Sequence, residues 1–190
     1  QLVVTGSHLS NKFGNTVKEI EATKFNIVYK ISLNLNDDSS KGISNAMGDA
    51  LSGFGKAFSE LSPDLVVLLG DRYEIFSAAA AATIASIPIA HIHGGEVTEG
   101  AFDDALRHSI TKMSHFHFVA ASDYKKRIIQ LGELPDNVFL VGGMGVDAIQ
   151  HLELMDKSSL QQSMDFKFNK KNLMITFHPE TLENNSLKNF

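Results

Sequence analysis

Short runs of β-branched and aliphatic residues recur along this chain with longer helix-patterned stretches between them, and that alternation restricts the fold to a parallel α/β sheet. Six runs read as strands, at 2–5, 26–31, 65–69, 87–91, 116–120 and 138–141, with a seventh at 173–176 after a polar break. The run 65–69, LVVLL, shows no alternation, which predicts a strand covered on both faces. Helical signals fill the gaps. Ser39 and Ser40 open a pattern that ends near Leu61 and Pro63, and Ser122 opens another that ends at Gly132. DDALRHSITKM predicts a helix with Ala105, Leu106, Ile110 and Met113 on its core side. The expected fold is a Rossmann-like parallel sheet with helices on both faces. Residues 151–171, with SSLQQS and KFNKKN, turn polar and read as a helix plus a connection leaving a first domain of residues 1–150. LMITFHPET then begins a second unit at 172–190.

Composition narrows the function classes. Seventeen Lys and Arg stand against 22 Asp and Glu, a net charge of −5, and no basic cluster appears, which argues against a nucleic-acid surface. The chain has no Cys, so thiol nucleophiles, disulfides and Cys-ligated metals are excluded, and a reducing compartment such as the cytoplasm is expected. The most apolar stretch, 75–90, contains Ser77, Thr83, Ser86 and Pro88 and is shorter than the ~20 residues of a bilayer span. It predicts a buried helix followed by a strand, with no membrane partner. The chain opens on QLVVTGS without a basic segment, so no secretory signal is expected, and it begins as though part-way through a fold.

Ligands of open α/β sheets sit beyond the carboxyl ends of the strands, which directs attention to TGSHLS, GDRYE, HGGE, GGMGVD and FHPET. GDRYE places Asp71 and Arg72 just before a helix. Either Arg72 forks onto a phosphate, or Asp71 caps the helix and Arg72 pairs with Glu74. HIHGGEVTEGAFDD gathers His91, His93, Glu96, Glu99, Asp103 and Asp104 around Gly94 and Gly95, which would let the backbone approach a ligand. The alternative is a solvated loop with Asp103 and Asp104 in the first turn of the next helix. The crowding of His91, His93, Glu96, His108, His115 and His117 raises metal binding, but no HExxH or other compact ligand set is present. His115 and His117 are expected as half-buried residues at a strand start. In GGMGVD, Gly142 and Gly143 turn the chain and Asp147 caps the following helix. His178 is held extended by Pro179, which suits a side chain aimed into a cleft.

Taken in order, TGSHLSNKFGNT, PDLVVLLGDRYEIFSAAAAA, IPIAHIHGGEVTEGAFDDALRHSITKMSHFHFVAASDYKKRIIQLGE, VGGMGVDAI and ITFHPET resemble the hydrolysing UDP-N-acetylglucosamine 2-epimerases. These bacterial enzymes make N-acetylmannosamine for sialic-acid and related nonulosonic-acid synthesis. The resemblance implies a two-domain, glycosyltransferase-B-like architecture with the active site between two Rossmann-like domains. It implies that this chain is the middle of a longer protein, lacking a first strand with its Arg-bearing phosphate loop and most of a uridine-binding domain, and inactive alone. It also implies that Asp71 and Asp103 are catalytic acids, that Arg72 contacts the nucleotide phosphates, and that His178 faces the phosphates from the second domain. His8 of TGSH would line the same cleft. Many relatives carry HIEGGE, with a catalytic glutamate where this chain has His93. Here either His93 takes over a proton transfer, or Glu96 reaches the sugar with His93 as its partner. The expected substrate is UDP-N-acetylglucosamine. The alternatives are the same chemistry on another UDP-linked amino sugar, a non-catalytic nucleotide-sugar-binding fragment, or a glycosyltransferase. No metal cofactor is expected, with Mg²⁺ at most assisting without a protein site, and the protein is expected to be a homo-oligomer, dimer or tetramer.

Overall fold

The structure, a computed structural model, describes residues 1–176. Six strands form, all paired in parallel: β1 (Leu2–Thr5) with β2 (Ile27–Ile31), and β3 (Val66–Leu69), β4 (Ile89–Ile92), β5 (Phe116–Val119) and β6 (Val138–Leu140) in sequential order. Parallel pairing requires crossovers, and seven helices supply and extend them: α1 (Val17–Glu21), α2 (Ser40–Leu61), α3 (Tyr73–Ile84), α4 (Asp103–Met113), α5 (Ser122–Gln130), α6 (Met144–His151) and α7 (Lys157–Met164). The outcome is the expected one, parallel sheets with helices on both sides.

The core forms where α2 and α3 meet the sheets. Phe54 and Phe58 of α2 pack with Leu68, Ile89 and the Ala78–Ala79 and Ala81–Ala82 pairs of α3, whose small side chains let the two helices approach closely. Ser39 starts α2 as anticipated, its hydroxyl accepting from the Gly42 N–H at 3.1 Å. A second, smaller cluster of Val119, Ile128 and Val138 seats α5 on β5 and β6.

Several expectations are corrected. Strand β3 is not covered on both faces: Leu68 is in the core, but Val67 and Leu69 are 61% and 49% exposed. Helices cover only the Leu68 face. The edge of β3 toward β1 borders a groove of about 940 Å³ lined by residues of both strands, including Val3, Thr5, Val66 and Leu68. The run 173–176 forms no strand, because a strand exists only in a ladder and Leu173, Met174 and Ile175 are exposed without one. Ser122 is the first residue of α5 rather than its cap, Asp147 lies inside the first turn of α6, and neither helix has a side-chain cap. His115 is exposed, whereas His117 is fully buried. In α4 the buried residues are Arg107, Ile110 and Thr111, with Ser114 following, so the helix is rotated relative to the apolar spacing and Ala105 is exposed.

Gly94 and Gly95 are explained by packing within the chain. Both are buried; a Cβ on Gly94 would lie 3.0 Å from the His91 Nδ1, and one on Gly95 2.6 Å from the Tyr124 carbonyl oxygen. Gly95 also has φ +77°, and Arg127 donates to its carbonyl. Gly95→Ala is therefore expected to destabilise the fold by at least about 1–2 kcal/mol from the left-handed backbone alone, read as a lower urea midpoint at unchanged slope. An unchanged midpoint would refute this packing account.

Candidate active site

The carboxyl ends of β3 and β4 lie side by side, so the Gly70–Asp71–Arg72 turn and the His93–Gly94–Gly95–Glu96 turn are neighbours. The N-terminal turn of α4 brings Asp103 and Asp104 to the same place, and Arg107 one turn further on. Arg107 organises this junction. Its Nη2 donates to the Asp71 carboxylate and, at 3.0 Å, to the Thr98 hydroxyl, while Asp104 lies 3.9 Å from Nη1. The Thr98 N–H in turn donates to Asp104 at 3.1 Å, so the loop after β4 is tied to α4 twice. Nε and Nη1 of Arg107 are buried without a hydrogen-bond partner among the described residues.

Asp71 is mostly enclosed, and its carboxyl is pushed above the ordinary carboxylate range. Burial is the largest cause, Arg107 opposes it, and the negative charges of Asp103 and Glu96 add to it. Asp71 therefore feels two further carboxylates beside its pair with Arg107. His93 sits at φ +64°, a backbone conformation that costs a non-glycine residue about 1–3 kcal/mol and that clusters at functional sites. Its Nδ1 donates to Glu96 Oε1 at 2.6 Å.

The remaining candidates are placed differently. Arg72 is the N-cap residue of α3 by position, and its guanidinium forks onto the buried Glu74, Nε at 3.2 Å and Nη2 at 3.1 Å. Asp71 makes no helix cap, so half of the capping alternative holds and half does not. Glu74 also fills the space against Gly6, where a Cβ would lie 2.7 Å from Glu74 Oε1, so the turn after β1 packs on the start of α3. His8 is exposed on that turn and its Nδ1 is 2.8 Å from the Thr16 hydroxyl. His178 lies outside the described residues. His91 points into the core instead of toward solvent: it is fully buried, and burial lowers its pKa to about 4. Arg107 and Thr98 were not among the sequence candidates. The signal that would have found Arg107 is a charged residue placed at the i, i+3, i+4 positions of Ile110 and Thr111.

Residues 1–190 match the family model described as UDP-N-acetylglucosamine 2-epimerase. The chain is 45% identical over 182 residues to the GDP/UDP-N,N'-diacetylbacillosamine 2-epimerase (hydrolyzing) of Campylobacter jejuni, covering 96% of this chain and 47% of that protein. It is 44% identical over 189 residues to the polysialic acid biosynthesis protein P7 of Escherichia coli, covering 98% and 47%. It is 40% identical over 187 residues to the UDP-N,N'-diacetylbacillosamine 2-epimerase (hydrolyzing) of Legionella pneumophila, covering 98% and 49%. The chain thus spans about half the length of the curated relatives it matches. In fold it is similar to the UDP-GlcNAc 2-epimerase of Neisseria meningitidis solved bound to UDP-GlcNAc, at a TM-score of 0.69 and 21% identity, covering 87% of this chain and 44% of that one. Among the described residues no helix is long and apolar enough to cross a membrane.

Proposed function

Because the chain belongs to the UDP-N-acetylglucosamine 2-epimerase family, we propose that the whole protein is a hydrolysing epimerase, converting UDP-N-acetylglucosamine and water to N-acetylmannosamine and UDP. The observation that carries the reading is the Asp71 carboxyl, paired with the buried Arg107 guanidinium and raised by burial and by the charges of Asp103 and Glu96 near it. Sugar C2–H is a poor acid, so its removal needs a base held in place and an acid able to return a proton on the other face, each worth about 10²–10⁴-fold. In the proposed course a carboxylate takes the C2 proton as the C1–O bond to UDP breaks, leaving 2-acetamidoglucal. Water then adds its oxygen at C1 while a proton returns to C2 from the opposite face. Asp71, Glu96 and Asp103 divide these transfers, and His93, hydrogen-bonded to Glu96, holds that carboxyl in place. Nε and Nη1 of Arg107, without a hydrogen-bond partner among the described residues, are donors that a substrate oxygen would satisfy.

Arg72, the N-terminus of α3 and His8 are proposed to face the diphosphate, with His178 joining from the segment beyond the described residues. These groups carry the leaving-group charge without a resident metal. A second substrate, a UDP-linked diacetamido sugar, is favoured by the names of the Campylobacter and Legionella relatives.

The test is NMR of the whole protein in deuterated water with EDTA, offered UDP-N-acetylglucosamine and, separately, UDP-N,N'-diacetylbacillosamine. Release of UDP with a free sugar deuterated at C2 is expected, and the sugar that turns over identifies the substrate. Binding of both nucleotide sugars with neither UDP release nor C2 exchange would leave a non-catalytic binding module. Transfer to an acceptor other than water would reveal a glycosyltransferase. Turnover that EDTA abolishes would overturn the metal-free part of the reading.

A further inference from the structure

The imidazole of His91 adds a rung to the sheet where the β3–β4 backbone ladder ends. Strands β3 and β4 run in register from Val66 and Ile89 to Leu69 and Ile92, and the ladder continues through the Gly70 N–H, which donates to the Ile92 carbonyl at 3.0 Å. Beyond that point β4 turns away: His93 adopts φ +64° and gives its own N–H to the Phe118 carbonyl of β5 at 2.9 Å. The carbonyl of Gly70 is met instead by a side chain, His91 Nε2, at 2.8 Å. Gly70 itself is at φ +81°, the conformation that swings the next residue, Asp71, off the strand axis. The other ring nitrogen of His91 lies 3.4 Å from the Thr111 hydroxyl of α4, which also reaches the Arg107 carbonyl at 3.1 Å. One imidazole therefore touches both elements of the Asp71–Arg107 pair: the turn that carries the carboxylate and the helix that carries the guanidinium.

We propose that His91 is a positioning residue, holding the Gly70–Asp71 turn against α4 so that the Asp71 carboxyl keeps its place beside Arg107; this rests on the epimerase reading for its kinetic consequence and on geometry for the rest. The ring does so as a neutral tautomer with its proton on Nε2, since only that form donates to the Gly70 carbonyl while leaving Nδ1 to accept. Burial is the main obstacle to a second proton, and His117, its register partner on β5, Arg107 from α4 and His93 at the end of β4 act in the same sense. Gly94 is closely packed against Nδ1.

The experiment compares the whole wild-type protein with His91→Phe and His91→Gln. Phe fills the space and removes the donor, whereas the Gln carboxamide can still donate toward Gly70. His91→Phe is expected to lower kcat about 100-fold with KM nearly unchanged, the effect of a displaced reacting group, and His91→Gln is expected to recover much of that loss. Equal kcat in His91→Phe and wild type, or equal loss in both variants, overturns the proposal. Should His91→Phe not fold, ¹⁵N NMR of the wild type decides it: His91 must show the neutral Nε2–H form at pH 6, and a ring that is charged there refutes the tautomer. If the wild type releases no UDP from either sugar, the functional reading fails by itself. The positioning claim is then read from the ¹³C titration of the Asp71 carboxyl, which His91→Phe, by drawing it away from Arg107, moves further above the ordinary carboxylate range and His91→Gln does not; no movement overturns it.

Discussion

Asp71→Asn is expected to abolish turnover almost completely while the protein still folds and still binds UDP. Asparagine keeps the shape of the side chain and can accept from Arg107 through its carboxamide oxygen, but it cannot take or give a proton. The expected loss in kcat is about 10²–10⁴-fold, the usual worth of a positioned acid or base. The acid limb of the wild-type kcat profile is expected above the ordinary aspartate value of about 3.9, since burial and the acidic neighbours Asp103 and Glu96 raise the Asp71 carboxyl. If the ionised carboxylate is the reacting form, activity falls as pH drops through that raised value. Asp103→Asn removes one of the raising charges, so its residual activity must show the limb at lower pH. A limb that stays put in Asp103→Asn would separate the profile from Asp71, and an Asp71→Asn protein that turns over normally would remove this residue from the chemistry.

Arg107→Met carries the second large effect, and it acts on stability and on pH together. The guanidinium is 8% exposed and serves Asp71 and Thr98 at once. Methionine replaces its apolar stem but leaves Asp71 without a counter-charge. Breaking a buried pair from one side costs about 3–5 kcal/mol, and because Asp71 keeps 20% side-chain exposure, a value near or below the bottom of that range, about 2–3 kcal/mol, is expected by denaturant unfolding. Arg107 is the influence that lowers the Asp71 carboxyl, so its removal raises that carboxyl further and must shift the acid limb to higher pH, opposite in sign to Asp103→Asn. In the double variant Asp71→Asn/Arg107→Met the unfolding cost should be less than the sum of the singles, because the second change removes the charge that the first stranded. Additive costs, or a limb that moves down, would show that the two side chains are not coupled.

Much of the architecture was legible because it depends on local pattern. Apolar runs of four to six residues, set between longer helical stretches, specify parallel strands and crossovers, and all six of the first runs became strands, with ends displaced by at most two residues. Ser39 was legible as a cap because capping chemistry is local. The seventh run had an apolar pattern and still formed no strand among the described residues, since pattern states what a segment would bury and not whether a partner edge is there to pair with.

The site divides along the same line. Its acids were legible from their places after strand ends, where an open parallel sheet presents polar residues to a ligand. That Asp71, Glu96 and Asp103 share a charge environment follows from β3 and β4 being neighbours, a long-range fact about the sheet. Arg107 escaped notice because the apolar spacing of α4 points to Leu106, Ile110 and Met113, whereas the packed helix buries Arg107, Ile110 and Thr111. A buried cation is unfavourable by any local rule, and only a carboxylate delivered by another strand makes it tolerable. The same holds for His91, which by sequence belongs with a polar cluster and by packing belongs to the core. The residue types and their order were thus determined by the sequence: the parallel α/β pattern, the acids at strand ends and the family they signal. Which of these groups touch, which are sealed from water and which carboxyl is raised were decided by the tertiary structure, because charge interactions and desolvation depend on distances between segments far apart in the chain.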